Sequence, residues 1–95
     1  MWLEIITVRI NTVARIELNT YLRECTAQIN GDHLNINAFS FERTPSGLDV
    51  SIHLHHISKI DEASITGLKI ADALRAFGPV DHAIWGPIQL QPTPI

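Results

Sequence analysis

The chain has 95 residues, of which 45% are hydrophobic and 18% charged, and its formal net charge is −3. That length supplies one domain, spanning 1–95, with a modest core, and the thin supply of charge leaves apolar surface for a partner to cover. The seven basic residues are scattered rather than clustered, which argues against nucleic-acid binding; the lone Cys25 excludes an intrachain disulfide; and no apolar run approaches the ~20 residues of a membrane helix.

Trp2 to Ile10 is rich in β-branched residues and apolar on both faces, the mark of a central strand. It opens the chain directly, with Glu4 and Arg9 interrupting the apolar run, so no signal peptide is expected and a soluble cytoplasmic protein is. Asn11 and Thr12 are good helix N-caps, and from Val13 the residues Ala14, Leu18, Tyr21, Leu22, Cys25 and Ile29 recur on one helical face. Cys25 on that stripe reads as a small core residue. Asn30-Gly31-Asp32 is expected to end the helix, with Gly31 in a left-handed turn.

Leu34 to Arg43 alternates. Leu34, Ile36 and Ala38 share one side, while Asn35, Asn37, Phe39 and Phe41 share the other. Thr44-Pro45-Ser46-Gly47 is a turn by composition, and Leu48 to Ile57 is the second arm of a hairpin. There Val50, Ile52, Leu54 and His56 point one way, and Asp49, Ser51, His53, His55 and Ile57 the other. Ser64 or Asp61 caps a second helix that runs to about Phe77, with Ile70, Ala71, Leu74 and Phe77 inward and Gly78-Pro79 as its stop. His82 to Leu90 forms a last strand whose Gly86-Pro87 suits an edge. The tail from Gln91 to Ile95 is expected to be extended and to reach toward a partner.

This order predicts an α+β domain of ferredoxin-like β-α-β-β-α-β topology: a four-stranded antiparallel sheet, both helices on one face, the first and third strands central. Ile6, Val8 and Ile10, with Val50, Ile52 and Leu54, are placed under the helices. The other face then carries Leu3, Ile5, Thr7, Arg9, Phe39, Phe41, Ser51, His53, His55 and Trp85. It is too apolar for water and too polar for a core, which fits sheet-on-sheet pairing in a two-fold homodimer. Arg9, Ser51, His53 and His55 are the expected interface residues.

With these elements in hand, the chain resembles the antibiotic biosynthesis monooxygenase-like family of dimeric α+β barrels. The resemblance rests on Ile5 to Ile10, on Ser51-Ile-His-Leu-His-His56, on Gly67-Leu-Lys-Ile-Ala-Asp-Ala-Leu-Arg75 and on Gly78-Pro-Val-Asp-His-Ala-Ile-Trp85. It implies a pocket between helices and sheet and, in some members, oxidation of quinol or polycyclic aromatic substrates without metal or flavin. No cofactor is therefore expected. The chain departs from the family where a Glu-x-Trp-like segment often ends the third strand: here His55-His56-Ile57 stands in that place. A histidine often found in the following helical region has no match between Ser58 and Arg75.

The outstanding local feature is His53-Leu54-His55-His56. His53 and His55 share a strand face, with Cα atoms roughly 6.5–7 Å apart. That spacing admits hydrogen-bonding interface residues, an imidazole base or, with a third ligand from elsewhere, a shared metal; no metal ligand set is assigned. His56 alternates toward the helices, where a cleft holding an apolar or aromatic ligand would place His56 and Tyr21 as its catalytic polar groups and Leu22, Phe77, His82 and Trp85 as its lining. A filled cleft would instead give a non-catalytic ligand-binding or interaction module.

Overall fold

A computed structural model describes residues 1–10, 14–44 and 47–88. The elements are β1 (Trp2–Arg9), α1 (Arg15–Asp32), β2 (Ile36–Glu42), β3 (Asp49–His56), α2 (Ile65–Leu74) and β4 (Val80–Trp85). They form one antiparallel sheet in the order β2-β3-β1-β4. The ferredoxin-like order is thus as expected, with β1 and β3 central and β4 at an edge.

Burial follows the alternation. Along β3 every second residue, Val50, Ile52, Leu54 and His56, is buried, and along β1 the buried set is Glu4, Ile6 and Val8. These side chains meet Leu18, Leu22 and Ile29 of α1 and Ile70, Ala71 and Leu74 of α2 in one core, with Tyr21, Cys25 and Phe77 packed at its margin. Ser64 caps α2, its Oγ accepting from the Gly67 N–H at 2.9 Å. Asp61 instead pairs with Lys59.

Four local expectations change. α1 does not turn at Gly31; it continues to Asp32, and Gly47 is the one described glycine at positive φ. The cause is Asn30, whose Nδ2 donates to the Ala38 carbonyl and whose Oδ1 accepts from the Ala38 N–H, tying the end of α1 to the outer edge of β2. Leu34, expected to face inward, precedes β2 and is 96% exposed. α2 stops at Leu74 rather than Phe77, and the chain closes with Phe77 N–H bonding the Leu74 carbonyl. β4 begins at Val80 and ends at Trp85, and the following Gly86 lies against the Trp2 ring, where a Cβ would clash. The expected caps Asn11 and Thr12, the turn residues Pro45 and Ser46, and the tail lie outside the described residues.

Candidate active site

β1 carries a carboxylate on its core face. Glu4 is fully buried, flanked by Leu54 on β3 and Ile84 on β4, with His56 and His82 as its diagonal neighbours. An apolar setting penalises a bare carboxylate heavily, and here each oxygen has two donors. Oε1 lies 2.9 Å from His56 Nε2 and accepts from Ser64 Oγ at 2.7 Å; Oε2 lies 2.6 Å from His82 Nε2 and accepts from the Ser64 N–H at 3.1 Å. The carboxylate also sits at the amino end of α2, where the helix dipole favours negative charge. It fills the space under Gly67, where a Cβ would lie 2.0 Å from Oε2.

Burial alone would push the Glu4 carboxyl up. The hydrogen bonds from the Ser64 hydroxyl, His56, His82 and the Ser64 N–H outweigh it and hold the group below the ordinary carboxylate value. A carboxyl depressed in the folded state contributes stability that is complete above its unfolded value of about 4.5 and is lost as pH falls through the lower, folded value. Glu4→Gln has no such proton to take up. Acid unfolding followed by circular dichroism should therefore lose stability less steeply below pH 4.5 in that variant than in the wild type.

A pocket of about 200 Å³ at the end of the sheet is lined by Met1, Asn37, His55, His56 and Ile57. Its lining is mainly apolar. His56 Nε2 meets Glu4 Oε1, and no buried side-chain nitrogen or oxygen among the described residues lacks a hydrogen-bond partner. His82 is half-buried and joined to the same carboxylate.

Tyr21 stands in a different cavity. A cleft of about 360 Å³ separates α1 from α2, lined by Tyr21, Cys25, Ile29, Thr66, Lys69 and Ile70 among others. Burial, then the neighbouring Cys25, pushes the Tyr21 phenol up to about 12, and burial raises the Cys25 thiol as well, so both remain protonated near neutrality. Cys25 is thus no thiolate nucleophile. The structure brings His56 and His82 together on Glu4 but does not bring Tyr21 into their company. Of the other expected lining residues, Leu22 and Phe77 belong to the core and its margin, and Trp85 is 63% exposed on the open face opposite Leu3.

On that open face, Phe39 and His55 rings lie 5.0 Å apart and Phe41 and His53 rings 4.5 Å. Ser51 Oγ is 3.0 Å from His53 Nε2. Burial, with the neighbouring His55, lowers the pKa of His53. Arg9, at the end of β1, pairs loosely with Asp49 at 3.9 Å. Among the described residues no three or more His, Cys, Asp or Glu groups are disposed to hold a metal ion, and no helix is long and apolar enough to cross a membrane.

Sequence reasoning missed Glu4. Its parity with Ile6, Val8 and Ile10 was the available signal: a carboxylate in phase with three core residues has to find donors, and the His56 phase offers one.

No family model matches the chain, and no curated protein does. Among solved structures it is similar to the structure of Rv0793 from Mycobacterium tuberculosis, with a TM-score of 0.71 over 94% of this chain and 96% of that one. At 17% identity the likeness is one of fold.

Proposed function

We propose that the chain is a homodimeric domain of the antibiotic biosynthesis monooxygenase-like kind that takes a single-ring phenol or hydroquinone beside His56 and oxidises it with dioxygen. The supporting observation is a mainly apolar pocket that His56 helps to line, together with the carboxylate that holds the His56 imidazole in place. A cavity of about 150 Å³ lodges benzene, so about 200 Å³ suits one substituted ring. A phenolate gives up electrons far more readily than a phenol, and an imidazole that removes the hydroxyl proton supplies that form without a cofactor. For a hydroquinone, two electrons and two protons then pass to dioxygen, leaving quinone and hydrogen peroxide. His55 and Asn37 of the pocket belong to the open sheet face, so a second copy paired there would border the site.

Oxygen uptake with hydroquinone as the probe tests this. Wild-type protein is expected to turn over, and His56→Asn to lose about 10²–10⁴-fold, the usual worth of a general base. Turnover unchanged in His56→Asn would refute the assignment.

The wider cleft between α1 and α2 favours a second reading, a binding module without chemistry. Its volume falls within the range of small-molecule sites, and Tyr21 remains a phenol that donates rather than a base. In that case hydroquinone binds without oxygen uptake, and Tyr21→Phe weakens it whereas His56→Asn does not.

A further inference from the structure

We propose that Glu4 is a positioning residue that fixes the tautomer of His56, so that Nδ1 is the ring's proton acceptor. This rests on the reading of His56 as a base and adds the group that makes it one.

An ionised carboxylate accepts hydrogen bonds and donates none. Both imidazoles that meet Glu4 therefore present Nε2–H to it, His56 to Oε1 and His82 to Oε2. In a neutral imidazole the other nitrogen is then the acceptor. For His56 that is Nδ1, the ring nitrogen that Glu4 does not meet. When Nδ1 takes a substrate proton the ring becomes an imidazolium, and the negative charge on Glu4 opposes it at hydrogen-bond distance. The substrate class follows from this. A single imidazole with a free acceptor nitrogen removes the proton of a weak acid, such as the hydroxyl of a phenol.

The Ser64 contacts give the inference a sharp test. In Glu4→Gln one oxygen becomes an NH2 group, and the bonding partners decide which. Oε2 accepts from the Ser64 backbone N–H, which can only donate, so an oxygen has to remain there. Oε1 faces Ser64 Oγ, which can accept as well as donate. The amide nitrogen therefore takes the Oε1 place and donates toward His56 Nε2. His56 can meet it only as an acceptor, which moves its hydrogen to Nδ1 and leaves that nitrogen unable to accept a proton. His82, still facing an oxygen, keeps its Nε2–H.

Nitrogen-15 NMR of the ligand-free protein at neutral pH reads both rings at once. The wild type is expected to show Nε2–H at His56 and at His82. Glu4→Gln is expected to show Nδ1–H at His56 alone, with His82 as an internal control. Wild-type His56 carrying its hydrogen on Nδ1 overturns the proposal without any variant. So does a Glu4→Gln spectrum in which His56 is unmoved. No substrate enters this experiment: if the tautomers behave as stated and hydroquinone is still not oxidised, the positioning role stands and the proposed reaction falls.

Discussion

Gly67→Ala is expected to destabilise the protein by about 1–3 kcal/mol, the usual result of forcing atoms into a filled core. In an ordinary helix interior the same change helps by about 1 kcal/mol, because alanine is the better helix former, so the sign is the test. The added Cβ would lie 2.0 Å from Glu4 Oε2 and 2.5 Å from Cδ. The carboxylate has nowhere to retreat, since its two oxygens hold two imidazoles and the hydroxyl and N–H of Ser64. Either α2 lifts or the hydrogen bonds stretch. Urea unfolding of the single variants and of the double variant with Glu4→Ala isolates the clash. With the carboxylate removed, the alanine should become neutral or favourable, a coupling above 1 kcal/mol between contacting residues. Glu4→Ala alone should lose about 1–3 kcal/mol, because it leaves the Ser64 N–H without an acceptor.

Ile5→Glu is expected to leave the fold intact and give a monomer. Ile5 sits mid-sheet on the face away from the helices, opposite His53 on one side and Ala83 on the other. It shares that face with Phe39, Phe41 and Trp85, which are 47%, 50% and 63% exposed in the single chain. A carboxylate at the centre of a sheet-on-sheet interface would be stripped of water, a penalty of about 3–5 kcal/mol per buried charge and so a weakening of pairing by more than about 10²-fold. Sedimentation velocity at low micromolar concentration distinguishes the outcomes. An unchanged dimer would move the interface elsewhere, and a wild-type monomer would remove it. The variant's circular dichroism should match the wild type, because Ile5 contributes nothing to the buried core.

The sheet was largely legible because alternation is a strong signal when one face is buried. The phases of Ile6, Val8, Val50, Ile52 and Leu54 were all read correctly, and so was the placing of His53 and His55 opposite to His56. Ends were less legible. The end of α1 depends on Asn30 reaching the backbone of Ala38, a contact between residues eight apart that helical periodicity does not encode. The candidate site was half visible. His56 and His82 could be named from their strands, but their common partner could not, since the pairing of β1 with both β3 and β4 is what sets them diagonally about Glu4. Tyr21 was grouped with His56 because both lie toward the layer between helices and sheet; the splay of α1 from α2 puts Tyr21 in a cleft of its own.

Binding of a nitrophenol tests the central claim most directly, because its phenolate absorbs visible light and the phenol does not. If His56 accepts the hydroxyl proton of a bound ring, wild-type protein should shift the ionisation of the bound dye below its value in free solution, and His56→Asn should abolish the shift while still binding. A bound nitrophenol that stays protonated at the pH where the free dye ionises, or one that ionises equally well in His56→Asn, would contradict the account.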